Sequence, residues 1–107
     1  MDKKQNYFST SYNLPKVLFE SEKYKNLSLH AKFLYAIMLS KLDESVNNKQ
    51  FDDNGYYIYF SVKDMSNKLR CSDPISIKAK KELSEIGLMN EKRCLSTSNK
   101  IYINKIM

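Results

Sequence analysis

The stretch SVKDMSNKLRCSDPISIKAKKELSEIGL, residues 61–88, contains two helix starts and one helix stop. Ser61, with Asp64 three residues on, forms a variant capping box, in which a hydroxyl and a carboxylate serve amides that a helix start leaves unpaired. Behind it, Val62, Met65 and Leu69 share one helical face, and the helix is expected to end near Arg70. Ser72 is a good N-cap for a second helix. Asp73 suits the positive end of that helix dipole, and Pro74 suits a first turn, where its missing N–H is no loss. Gly87 is placed to end the helix in the left-handed conformation. Two short helices about three residues apart make a helix-turn-helix.

The flanking sequence extends this motif into a domain. Downstream, LMNEKRCL and KIYINKI are β-compatible runs joined by the polar STSN, which predicts a terminal hairpin in the position of a wing. Upstream, Ser28 opens SLHAKFLYAIMLSKLDESVNN. There Leu34, Met38 and Leu42 recur every four residues, with Leu29, Phe33 and Ile37 as a second row and Tyr35 and Leu39 further round. So broad an apolar surface predicts the central helix. Before it, YNLPKVLFES fits a short helical turn with Asn13 as cap and Pro15 in the first turn, and EKYKN is a polar connection. Between the central helix and Ser61, Asn54-Gly55 marks a turn and Tyr56–Phe60 a short strand. The expected fold class is α+β, mainly helical: a winged helix-turn-helix with a C-terminal β-hairpin wing, one domain over residues 1–107.

Composition narrows the functional classes. The chain has 107 residues, 42% of them hydrophobic, with two glycines and two prolines, which suits one folded domain. No apolar run approaches the roughly 18 residues of a membrane span, and the lysines of MDKKQNYFSTS precede no apolar stretch, so a cytoplasmic protein is expected. Cys71 and Cys94 lack a CxxC spacing and His30 is the single histidine. A structural zinc site, which needs four Cys or His ligands, is not expected, and the cysteines read as buried free thiols. His30 reads as a surface or capping residue. Asp43-Glu44 and Asp52-Asp53 sit beside turns, where acids are ordinarily solvated. With no Gly-rich phosphate loop, HExxH or GxSxG, neither an enzyme nor a bound cofactor is expected.

The net charge is +6, and its placement matters more than its size. Residues 1–69 hold ten lysines and eight acids, whereas residues 70–107 hold eight Lys and Arg against four acids. On the helix that Ser72 opens, Ile75, Ala79, Leu83 and Ile86 fall within an arc of about 80° and are expected to pack inward. Ile77, Lys78, Lys81 and Ser84 lie opposite, with Lys80 on the flank. Ser76, Lys78, Lys80 and Lys81 supply donors for phosphates and guanine edges, and Ile77 suits a thymine methyl group. In the hairpin, Lys92, Arg93 and Lys100 suit a duplex backbone or minor groove. These eight residues are the candidate contacts to double-stranded DNA. The bland alternative pairs Lys78 with Glu82 and Lys81 with Glu85 along the helix, at about 0.2–0.5 kcal/mol each, and makes the hairpin charges a guard against edge pairing. Tyr7, Phe8 and Tyr12 form either an interface or an arm on their own domain.

The segments YFSTSYNLPKVLFESEKYKNLSLHAKFLYAIMLSKLDES, NGYYIYFSVKDMSNKLRCSDPISIKAKKELSEIGLM and NKIYI together resemble the N-terminal domain of the RepA_N family, replication initiators of plasmids from low-GC Gram-positive bacteria, including staphylococcal multiresistance plasmids. LPKVLFE…YKNLSLHAKFLYA and KKELSEIGLM are its most specific parts. The resemblance implies a winged helix that binds repeated sites (iterons) in a plasmid origin as homodimers on adjacent repeats. Pairing of such complexes between origins would serve copy number control. Full-length members carry a C-terminal domain thought to recruit host replication proteins, and this chain is expected to be the DNA-binding part alone. The competing expectations are a winged-helix protein-interaction module in replisome assembly, binding through its tyrosine-rich surface, and a transcriptional regulator.

Overall fold

The computed structural model describes residues 12–95 and 97–106. One helical turn, α1 (Val17–Glu20), is entered from Lys16 rather than from Asn13, and it buries Leu18 completely. The long helix α2 (Leu29–Asn47) starts at Ser28, whose Oγ accepts the Ala31 amide at 3.1 Å. Leu34, Tyr35 and Met38 are fully enclosed and Ile37 and Leu42 nearly so, which makes α2 the axis of the domain. The second apolar row is only partly used. Leu29 and Phe33 remain exposed, and Phe33 lines a shallow groove with Tyr12, Leu14 and Leu69.

Lys32 of α2 is buried, and among the described residues it has no carboxylate partner. Its ammonium donates to the Lys25 carbonyl at 3.0 Å and lies 4.4 Å from the centre of the Phe19 ring, so a carbonyl dipole and an aromatic face replace its water.

A tight hairpin follows: β1 (Phe51–Asp52) and β2 (Gly55–Tyr56) pair Phe51 with Tyr56 and Asp52 with Gly55. Gly55 adopts φ 115°, which a side chain would strain. The strand expected over Tyr56–Phe60 is thereby split. Tyr56 belongs to this hairpin, and Ile58 alone pairs onward, exchanging two 2.9 Å backbone hydrogen bonds with Ile101.

The helix-turn-helix comprises α3 (Val62–Leu69) and α4 (Asp73–Glu85). Ser61 Oγ accepts the Asp64 amide at 3.1 Å, as its sequence position predicts. Arg70 closes α3 with φ 56°, a left-handed conformation that ends the helix and leaves three residues before α4. Ser72 precedes α4 with extended backbone, but its hydroxyl makes no capping bond. Gly87, at φ 84°, turns the chain out of α4.

The wing is an antiparallel pair, β3 (Met89–Lys92) and β4 (Lys100–Ile103), in the register Met89–Ile103, Asn90–Tyr102, Glu91–Ile101 and Lys92–Lys100. Alternation along the strands sends Met89, Glu91, Ile101 and Ile103 to one face and Lys92, Lys100 and Tyr102 to the other. Leu34, Met38, Met65, Ala79 and Leu83 from the three long helices meet Ile58, Met89, Ile101 and Ile103 from the strands in one core. Beyond β4, the buried Tyr35 hydroxyl donates to the Asn104 carbonyl at 2.6 Å and accepts the Ile106 amide at 3.1 Å, and burial pushes this phenol up from its ordinary value.

The paired acids Asp52-Asp53 behave differently from each other. Asp53 is exposed as expected, but Asp52 joins the two hairpins. Its Oδ2 accepts from Lys100 Nζ at 2.8 Å and from the Tyr102 hydroxyl at 2.7 Å, while Oδ1 accepts the Asn54 amide at 2.9 Å. The Lys100 bond, then the Tyr102 bond, hold this carboxyl at about 2, well below its ordinary 3.8.

Two outcomes follow for stability. Leu83→Ala, which opens a void among α2, α3 and α4, lowers the unfolding free energy in urea by about 2–5 kcal/mol. Because Asp52 is more acidic folded than unfolded, its contribution is complete above the ordinary carboxylate range and vanishes as pH falls through about 2. Thermal unfolding measured from pH 6 to pH 2 therefore falls less steeply for Asp52→Asn than for the native chain, and the two converge at the acid end.

Candidate nucleic-acid interface

Helix α4 is oriented by what it hides. The buried residues are Ser76, Ala79 and Leu83, with Ile86 half-buried, whereas Ile75 is 40% exposed. The inward stripe is therefore rotated by part of a turn from the one that apolar residues alone define. Ser76 takes the place expected of Ile75 because its hydroxyl finds partners inside: Ser66 Oγ at 2.9 Å and Cys71 Sγ at 3.3 Å. Ser66 Oγ in turn donates to the Val62 carbonyl at 3.0 Å. A consistent set of protons has the Cys71 thiol donating to Ser76, Ser76 to Ser66 and Ser66 to the backbone, which gives each of these three side chains a partner in the joint between α3 and α4. Ser76 is 0% exposed and does not face a duplex, contrary to its sequence assignment.

Two carboxylates hold the flanks of the stripe. On one side Glu82 accepts the Ser28 amide through Oε1 and the Ser28 hydroxyl through Oε2, both at 2.8 Å. This is a capping box assembled across 54 positions, with the carboxylate at the start of α2 supplied by α4. On the other side Lys80 Nζ lies 2.9 Å from Glu91 Oε1 of β3. The alternative partnership of Lys78 with Glu82 does not form, because Glu82 is engaged with Ser28. Lys80, expected as a duplex contact, is tied to the wing instead.

The outward face of α4 carries Ile77, 50% exposed, with Lys78 and Lys81 exposed beside it in the N-terminal two-thirds. Among the described residues neither lysine makes an ion pair. Asp73, exposed at the helix start, is the acid on the same end. In the wing, Lys92 and Arg93 are exposed. Lys100 is not free: it lies 4.5 Å from the centre of the Tyr57 ring and is held by Asp52, whose hydrogen bond raises its pKa. Of the eight residues expected to contact DNA, the fold thus leaves Ile77, Lys78, Lys81, Lys92 and Arg93 outward. It buries Ser76 and commits Lys80 and Lys100 to internal ion pairs. Glu82, a helix-face partner by its spacing, Asp52, a solvated acid by its place beside a turn, and Glu91, to which the sequence assigns no role, are the residues that sort these cations. Their only sequence signal is position, each lying opposite a cation or a cap once the elements are folded.

The remaining sequence candidates are placed as follows. Cys71 and Cys94 are half-buried free thiols rather than fully buried ones. His30 is half-buried in the first turn of α2. Tyr12 is exposed, while Tyr7 and Phe8 lie outside the described residues. Among the described residues no helix is long and apolar enough to cross a membrane.

This architecture has close counterparts. A solved structure described as "N-Terminal domain of DNA binding protein" superposes with a TM-score of 0.82 at 35% identity, over 100% of this chain and 83% of the other. One described as "Structure of Rep-DNA complex" matches with a TM-score of 0.81 at 35% identity, over 100% and 84% of the two chains. A third, "Structure of MDR initiator", gives 0.79 at 36% identity, over 98% and 84%. No curated protein sequence matches the chain. The family model for the replication initiator protein A (RepA) N-terminus matches residues 10–107, nearly the whole length. The winged helix described above is therefore that of a replication initiator N-terminus, and the chain belongs to the RepA_N family.

Proposed function

We propose that this chain is a sequence-specific double-stranded DNA-binding domain that acts in plasmid replication initiation, with α4 as its recognition helix. The observation that carries the proposal is the sorting of cations on α4 and the wing. Internal carboxylates neutralise Lys80 and Lys100, whereas Lys78, Lys81, Lys92 and Arg93 stay outward and, among the described residues, make no ion pair. A helix presenting two ammonium groups around an exposed isoleucine matches the needs of a major groove: charge for phosphates, donors for base acceptors and an apolar surface for a thymine methyl. The 35% identity to a protein solved as a Rep-DNA complex supports the same ligand. The nucleic acid recognised is the repeated (iteron) sequence of the plasmid's own origin. Binding of homodimers to adjacent repeats, and pairing of such assemblies for copy number control, are the regulatory part of this proposal.

In this reading the exposed Arg93 of the wing meets the backbone or minor groove, where an arginine gains from the narrow groove's negative potential. Its neighbour Lys92 adds charge without geometric selectivity.

Fluorescence-anisotropy titration of an origin-repeat duplex and a scrambled duplex, each at two or more salt concentrations, tests this function. Preference for the repeat is expected, with a steep salt dependence. Lys78→Ala and Lys81→Ala each weaken binding and each reduce the magnitude of the log–log salt slope by about 0.9, the signature of a lost phosphate contact. Ile77→Ala narrows the preference for repeat over scrambled DNA while leaving the salt slope in place. Micromolar or weaker binding indifferent to sequence, or Lys78→Ala/Lys81→Ala binding as tightly as the native chain, would refute the proposal.

A further inference from the structure

The carboxylate of Glu91 is used twice. Oε1 holds Lys80 of the recognition helix at 2.9 Å, and Oε2 accepts Asn99 Nδ2 at 3.2 Å. Asn99 Oδ1 then accepts the backbone amide of Cys94 at 3.2 Å, across the wing loop. The side chains of Lys80 and Glu91 are 22% and 26% exposed, so the pair is partly withdrawn from water and less screened than a surface pair. These contacts form one chain from α4, through β3, to the residue next to Arg93. Alternation in β3 makes it possible, since Glu91 shares its face with the buried Met89 and so points toward α4, while Lys92 points away.

We infer that Glu91 and Asn99 are positioning residues for DNA recognition: they set the wing loop relative to the recognition helix, so that Arg93 meets the duplex in register with Lys78 and Lys81. This rests on the DNA-binding function proposed above and adds the coupling between its two contact elements. A wing loop of seven residues between strands has a large conformational freedom to lose on binding. Ordering it in the free protein removes that cost from the binding step. Lys80 thereby acts through Glu91 rather than on a phosphate.

The chain makes a specific demand on a double-mutant cycle. Arg93→Ala weakens binding to the repeat duplex about tenfold in the native background and less than about twofold in the Glu91→Ala or Asn99→Ala background, because a loop set loose no longer delivers that arginine. Lys78→Ala, on the helix itself, retains its full effect in all three. A measurement without DNA accompanies the cycle. Amide hydrogen exchange at Cys94 is slowed in the native chain, accelerates in Asn99→Ala, and stays slow in Glu91→Gln, where a neutral amide oxygen still accepts from Asn99. Thermal unfolding of each variant identifies any that fails to fold; if Glu91→Ala does so, the cycle is read on Asn99→Ala, and Glu91→Gln, which keeps the loop bonds, retains the full Arg93→Ala effect. Independent, multiplying effects of Arg93→Ala and the positioning variants overturn the inference, as does Cys94 exchange unchanged in Asn99→Ala. In either case native preference for the repeat leaves the proposed function intact. If the native chain shows no such preference, the function and the inference fall together.

Discussion

Everything presented on the outer surface of α4 depends on how that helix is turned about its own axis, and the Glu82–Ser28 contact fixes the turn. Apolar burial at Ala79 and Leu83 alone tolerates some rolling, because two small or medium side chains leave room for adjustment. A carboxylate with both oxygens on one residue does not: rotation by a fraction of a turn breaks two 2.8 Å bonds at once and leaves the start of α2 short of an acceptor. The Lys80–Glu91 pair restrains the opposite flank. Between these two stays, Ser76 closes the joint to α3 with a fully satisfied hydroxyl chain. The same contacts that hold the helix decide which of its cations are left for a ligand.

Much of this fold is legible in residues 61–103. The Ser61 cap, the left-handed Gly87, the inward Leu83 and the hairpin that follows are local signals, and each is obeyed because the tertiary structure asks nothing different of them. The departures share one physical origin. Ser76 looked polar and therefore outward, but Ser66, ten positions earlier and on another helix, supplies the partner that makes burial affordable. Lys100 looked like a surface cation of a wing, until Asp52 arrives from 48 residues away. The strand over Tyr56–Phe60 had the right composition but was divided between two partners, one preceding the turn and one near the end of the chain. Periodicity and propensity describe a segment alone, whereas pairing of polar groups is a property of two segments.

Net charge is correspondingly an imperfect guide to a polyanion site. The +6 balance of the chain includes ammonium groups whose work is internal: Lys32 over Phe19, Lys80 on Glu91 and Lys100 on Asp52. The discriminating quantity is the number of cations on one face that have no carboxylate within reach, and on α4 and the wing the acids are placed so as to remove some cations from that set and leave others in it. The wing's alternation does the remaining sorting, giving one face to the core and to Glu91 and the other to Lys92, Lys100 and Tyr102.

Lys32 illustrates a division of labour between cohesion and adhesion. Its partners are a carbonyl dipole and a ring quadrupole at close range, and Lys32 itself is almost wholly withdrawn from water, so dissolved ions screen it less than they screen an outward ammonium. A charge satisfied in this way depends little on the ionic medium, while outward ammonium groups attract a polyanion only as strongly as that medium allows. Lys32 and the outward cations thus answer to different solution variables: rising electrolyte weakens the pull of the outward set on a polyanion and leaves the buried one in place.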